Sequence, residues 1–180
     1  MIPVQALIRM AEGVDFVPEL LLSVEQRNNQ QKKWFTRQVN KRFGDDLSEL
    51  TFGLWGLSFK PGTDDMREAP SITLLEDLIS AGATILAYDP VAMETARKEL
   101  PAEWFANGQL QLVDNQYEAL RSVDAMLLVT EWKPFRNPDL DAMRRSMKQP
   151  IIFDGRNQYD PDYICEEGFE YVGVGRASHG

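Results

Sequence analysis

Lys60 and Arg67 are cations in a loop that also carries Asp64, Asp65 and Glu68. The loop lies between an apolar run, Thr51–Leu57, and an amphipathic segment that starts near Ser71. A strand that breaks off into a long polar loop and re-enters as a helix is the usual ligand position of an open α/β sheet. Two further apolar runs end in comparable chemistry: Ala125–Val129 in Thr130-Glu131-Trp132, and Ile151–Asp154 in Gly155-Arg156-Asn157. Parallel strands would bring Lys60 and Arg156 to one rim, where they suit an anionic, phosphate-bearing ligand. Arginine clamps phosphate through two N–H groups, whereas lysine supplies a point charge. Phe59 offers an apolar face to a base or sugar, and Gly155 lets backbone come close to a ligand. Without Arg156 the same loop reads as a turn-rich surface connection.

The elements that must position these residues follow from periodicity. Short apolar runs at Thr51–Leu57, Thr84–Tyr88, Leu110–Val113, Ala125–Val129, Ile151–Asp154 and Tyr171–Val174 read as strands. Between them, amphipathic segments at Ser71–Ala81, Met93–Leu100, Gln116–Arg121, Pro138–Met147 and Asp162–Glu167 read as helices. That alternation predicts right-handed crossovers and an α/β, Rossmann-like three-layer domain with a parallel sheet of about six strands. Ahead of it, Val4–Ala11 reads as a short helix, and Pro18 to about Phe43 as one long helix stopped by Gly44. The apolar stripe of the long helix, Leu21, Val24, Phe35, Val39 and Phe43, is interrupted by Asn28 and Gln31, which suits a connection between domains or contact with another subunit. The expected division is a helical segment at 1–46 and the α/β domain at 47–180.

Composition removes several classes of function. A net charge of −9 over 180 residues argues against general nucleic-acid binding. Any anion site must therefore be built locally, since salt screens surface charge over roughly 8 Å. No apolar run approaches a membrane span, and the first residues lack a basic-then-apolar signal pattern. The single cysteine, Cys165, excludes an internal disulfide and suits a reducing compartment, so the cytoplasm is expected. With His179 as the single histidine, a His/Cys zinc site lacks ligands, and Asp64-Asp65 beside Arg67 and Glu68 reads as a salt-bridged loop rather than a metal site. Flanking Glu166 and Glu167 should raise the pKa of Cys165, which argues against a nucleophile. Gly53, Gly56 and Gly62 have the wrong spacing for the dinucleotide fingerprint, so Asp89-Pro90 is expected to be a turn or helix cap rather than a ribose contact.

The motifs carry a further signal. Gly56-Leu57-Ser58-Phe59-Lys60-Pro61-Gly62-Thr63-Asp64-Asp65-Met66-Arg67-Glu68-Ala69-Pro70-Ser71 resembles the G-L-[AS]-F-K-x-x-T-D-D-x-R-E-[AS]-P motif of the UDP-glucose/GDP-mannose dehydrogenase family. Tyr88-Asp89-Pro90, Thr130-Glu131-Trp132, Phe153-Asp154-Gly155-Arg156-Asn157 and Tyr171-Val172-Gly173-Val174-Gly175-Arg176 resemble later motifs of that family, in order. The resemblance implies a nucleotide-sugar dehydrogenase that uses NAD and a catalytic cysteine to oxidise the C6 alcohol of UDP-glucose to a carboxylate. It further implies that Phe59, Lys60 and Arg156 contact the UDP, that Arg67 reaches NAD held mainly by another domain, and that the long helix forms a homodimer core. The Met-Arg-Glu-Ala-Pro-Ser stretch is most similar to bacterial UDP-glucose members. The GDP-mannose and UDP-N-acetylmannosamine branches, and a non-catalytic nucleotide-binding scaffold, are the alternatives. The family's G-x-G-x-x-G domain and cysteine segment have no counterpart in these residues, so no catalytic residue is assigned and the 180 residues are expected to be inactive alone.

Overall fold

The computed structural model describes residues 4–176, so His179 and the first three residues lie outside the described part. The chain forms two compact units, one up to Trp34 and one from Phe35 onward. In the first, α1 (Val4–Glu12) and α2 (Glu19–Lys32) are joined by a 2.8 Å hydrogen bond from Gln5 Nε2 to Glu25 Oε1. The single helix expected over Pro18–Phe43 is interrupted at Lys33, where ψ rises to 7° and the amide turns back to the Gln31 carbonyl. Nothing on α2 is buried within the described chain, so no packing holds its amide-rich end in the helical ladder. The helical path resumes as α3 (Trp34–Phe43). Phe35 and Val39 of α3 are buried, Thr36 Oγ1 donates to Asp77 Oδ2 at 2.7 Å, and Phe43 meets Phe52 edge-on.

The second unit is built on six parallel strands: β1 (Thr51–Trp55), β2 (Thr84–Tyr88), β3 (Leu110–Leu112), β4 (Ala125–Leu128), β5 (Ile151–Asp154) and β6 (Glu170–Gly173). Their order is β3-β2-β1-β4-β5-β6, a doubly wound sheet in which the winding reverses between β1 and β4. The connecting helices are α4 (Pro70–Ser80), α5 (Met93–Glu99), α6 (Ala102–Ala106), α7 (Leu140–Ser146) and α8 (Pro161–Glu166). The short α6 was not expected. The segment read as a helix over Gln116–Arg121 is a single 3-10 turn, Glu118–Leu120.

β1 is buried from Phe52 to Trp55, and β4 and β5 are buried at every position, which is why they read as continuous apolar runs rather than alternating ones. Trp55 sits in the core between Phe135 and Tyr117, and its indole N–H is satisfied by the Gln116 carbonyl at 2.7 Å. Burial of such side chains contributes roughly 1.5–3 kcal/mol each, enough for this layer to dominate stability. The register matters most for function. Trp55 pairs with both Tyr88 and Leu128, Leu128 with Asp154, and Asp154 with Gly173, so the carboxyl ends of the strands stand level. Gly56, Asp89, Val129 and Gly155 therefore begin their loops side by side.

Candidate ligand rim

Two buried carboxylates build the rim. Asp89, fully buried at the end of β2, accepts through Oδ2 from Leu57 N (2.8 Å), Ser58 N (3.1 Å), Ser58 Oγ (3.2 Å) and Trp132 Nε1 (3.0 Å). Its Oδ1 accepts from Val91 N (2.9 Å) and Ala92 N (2.8 Å). The expected turn role is present in the last pair. The first four bonds add a second role, tying the loop after β1 to the loops after β2 and β4. Six donors occupy both oxygens, which agrees with the absence of a dinucleotide glycine turn in removing Asp89 as a ribose ligand.

Asp154 plays a similar part at the end of β5, three strands along the sheet. Oδ1 accepts from Arg156 N (2.8 Å), while Oδ2 accepts from Gln158 N (2.7 Å), Tyr159 N (3.1 Å) and the Tyr171 hydroxyl (2.9 Å). Burial, and then the Asp154 charge, push the Tyr159 and Tyr171 phenols far above their ordinary range, so both stay protonated as donors. Neither carboxylate was singled out for this role from sequence. The available signal was an acidic residue closing an apolar strand just before Pro90 or Gly155.

The sequence-identified residues sit on this frame. Thr130 Oγ1 donates to the Ser58 carbonyl at 2.6 Å, which locks the loop after β1 against the loop after β4. Phe59 follows, with its amide donating to the Asp65 carbonyl at 2.9 Å and its ring half exposed. Lys60 is exposed beside it. Arg156 reaches the same rim from β5: Nε donates to the Val129 carbonyl at 2.7 Å, and Nη2 lies 3.5 Å from the Phe59 carbonyl. Phe59, Lys60 and Arg156 are thus brought together.

Gly155 serves a different purpose from the one expected. A Cβ built there would lie 2.3 Å from the ring of Phe35, so its missing side chain admits α3 rather than a ligand. The thiol of Cys165 is also raised for a different reason. Burial comes first and Asp162 second, rather than the adjacent glutamates.

Arg67 stands apart from that cluster. Its Nε and Nη2 grip both oxygens of Asp65 at 2.9 and 2.7 Å, with its side chain 82% exposed. These hydrogen bonds, with the Arg67 amide and then the charges of Arg67 and Lys60, hold the Asp65 carboxyl down at about 2. The link between Asp65 and Arg67 is therefore complete above the ordinary carboxyl value of 3.8 and is lost as pH falls through about 2. In a carboxyl-detected NMR titration, Asp65 is expected to titrate near 2, and Arg67→Gln should return it toward 3.8. An Asp65 midpoint that Arg67→Gln leaves unmoved would show that the loop is ordered by something else.

Level strand ends and a winding reversal beside β1 define a doubly wound α/β domain, with Phe59, Lys60 and Arg156 in loops on one rim. Residues 53–161 match the family model described as the UDP-glucose/GDP-mannose dehydrogenase family, UDP binding domain. The chain belongs to that family, and it corresponds to the C-terminal part of the curated relatives it matches. It is 45% identical over 177 residues to a UDP-glucose 6-dehydrogenase of Pseudomonas aeruginosa, covering 98% of this chain and 39% of the relative. It is 36% identical over 171 residues to a UDP-glucose 6-dehydrogenase of Rhizobium meliloti, covering 95% of this chain and 38% of that one. Among solved structures, a UDP-glucose dehydrogenase from Pyrobaculum islandicum superposes with a TM-score of 0.77 at 25% identity, covering 97% of this chain and 36% of that chain.

Proposed function

We propose that this domain holds the UDP part of UDP-glucose for an NAD-dependent 6-dehydrogenase reaction. The observation that carries the reading is the meeting of Arg156 Nη2 and the Phe59 carbonyl at 3.5 Å, which puts Lys60 and Arg156 on one rim at the winding reversal. Lys60 and Arg156 would neutralise the diphosphate, with the exposed Phe59 ring against the base or sugar. That the matched relatives in Pseudomonas aeruginosa and Rhizobium meliloti carry the name UDP-glucose 6-dehydrogenase favours glucose over the GDP-mannose and UDP-N-acetylmannosamine alternatives.

Arg67 is assigned to NAD, which supplies the hydride acceptor when bound. Its exposed guanidinium has Nε and Nη2 taken by Asp65 and fits an anionic group through Nη1. The 180 residues are proposed to be inactive by themselves, because the family's NAD-binding domain and catalytic-cysteine segment have no counterpart in them and Cys165, whose thiol is raised by burial and then by Asp162, is a poor substitute. Homodimerisation is assigned to α2, which buries nothing within the described chain and exposes Leu20, Leu22 and Val24. A monomer mass by sedimentation would count against that assignment.

Isothermal titration of UDP into the 180-residue chain tests the central reading. Each of Lys60→Ala and Arg156→Ala is expected to weaken binding by about 10- to 100-fold, the weight of one charge-assisted hydrogen-bonded contact. Absence of heat with UDP, or binding that ignores both substitutions, would sink it. Adding UDP-glucose and NAD⁺ to the same sample should yield no NADH.

A further inference from the structure

We infer that Glu131 is the positioning residue of the diphosphate contact, fixing which edge of the Arg156 guanidinium faces the ligand. The inference rests on the reading of Lys60 and Arg156 as UDP contacts. Glu131 follows β4 and is pinned on both sides. Thr130 before it is fully buried and bonded to the Ser58 carbonyl, and Trp132 after it is buried with its indole on Asp89. The intervening carboxylate has little freedom, and it faces Arg156, with Oε2 3.0 Å from Nε. Oε2 is itself buried and accepts no hydrogen bond, because the Nε–H is aimed at the Val129 carbonyl. The attraction is therefore ionic. Arg156 is the only cation that Glu131 meets among the described residues.

A guanidinium can grip a diphosphate through the Nε/Nη2 edge or through the Nη1/Nη2 edge. Here Val129 and Glu131 take the Nε side. Nη2 reaches toward the rim, 3.5 Å from the Phe59 carbonyl, which leaves Nη1 and the second N–H of Nη2 as the edge open to a ligand. With Nε held by the Val129 carbonyl at 2.7 Å and beside Glu131 Oε2 at 3.0 Å, the orientation of the guanidinium is set before a ligand arrives. Such preorganisation removes the ordering cost that a free arginine would meet on binding. The neighbouring negative charge carries an opposing effect, since it lowers the positive potential felt by a diphosphate. The two contributions have opposite signs, and their balance is what an experiment reads.

The test is titration of UDP into the 180-residue chain carrying Glu131→Gln, which keeps shape and removes charge, in wild-type and Arg156→Ala backgrounds. The expected result is roughly five- to tenfold weaker binding with Arg156 present, the weight of one ordered side chain, and no further loss once Arg156 is absent. Unchanged or tighter binding in Glu131→Gln would overturn the inference, because repulsion would then outweigh positioning. An equal loss in both backgrounds would also overturn it, since Glu131 would then act on the loop and not on the guanidinium. Wild-type chain that binds no UDP brings down the underlying reading instead, and that result is distinct from either of these.

Discussion

Asp89→Ala is expected to destabilise the domain by about 3–5 kcal/mol and to abolish UDP binding even where the protein stays folded. The substitution leaves Leu57 N, Ser58 N and Trp132 Nε1 without their acceptor in a buried setting. Each orphaned buried donor costs about 1–3 kcal/mol. Val91 and Ala92 lose their turn acceptor in addition. Urea denaturation measures the loss as a shift of the midpoint with an unchanged slope. Asp89→Asn separates shape from chemistry. It fills the same volume and keeps one acceptor, but its NH₂ must face donors, so an intermediate loss of about 1–3 kcal/mol is expected. A loss below about 1 kcal/mol in Asp89→Ala would mean that water replaces the carboxylate, and the hub would not be what holds the rim.

Gly56→Ala should be nearly as damaging, for a steric reason. The residue has φ +95°, and a Cβ there would lie 2.5 Å from Thr130 Cβ, 2.7 Å from Thr130 N and 2.9 Å from Thr130 Cα. The backbone conformation alone costs about 1–3 kcal/mol for a residue with a side chain. The clash adds to it, because the opposing atoms are the backbone and β-carbon of Thr130, two residues past β4, and cannot yield without moving that loop. A total of about 3–5 kcal/mol is expected, read again by urea denaturation, with weaker UDP binding because Thr130 also holds the Ser58 carbonyl. Gly62→Ala is the internal comparison. Gly62 has φ +83° with nothing within 4 Å, so only the conformational cost of about 1 kcal/mol applies. Equal losses at the two positions would show that the crowding against Thr130 is relieved.

The two cases differ in how they could be read from the chain alone. Gly56 belongs to a motif, and its glycine could be noticed as a strand end, but its crowding by Thr130 joins residues that are distant in sequence. Asp89 reads as a turn residue from Pro90 beside it and the missing glycine turn, and its local donors Val91 and Ala92 agree. Leu57, Ser58 and Trp132 are remote, and no periodicity signals them. The same holds for Gly155, whose vacant Cβ position is filled by the Phe35 ring from far upstream. The break at Lys33 is hidden in the sequence for the opposite reason. Its surroundings are locally helical, and the side that ends there, α2, buries no residue within the described chain.

Short-range pattern carries the strands and most helices, the parallel doubly wound class, and the positions of the Phe59–Arg67 loop and of Arg156 just past strand ends. Apolar periodicity and turn chemistry act over a few residues, and parallel strands with right-handed crossovers leave few ways to order them. Only the tertiary structure decided how that rim is held. Six donors converge on Asp89, Glu131 stands behind Arg156, and Asp65 rather than the rim holds Arg67. Hydrogen-bond satisfaction, steric contact and ion pairing depend on distance in space, and the level ends of β1, β2, β4 and β5 bring together groups that the chain keeps far apart.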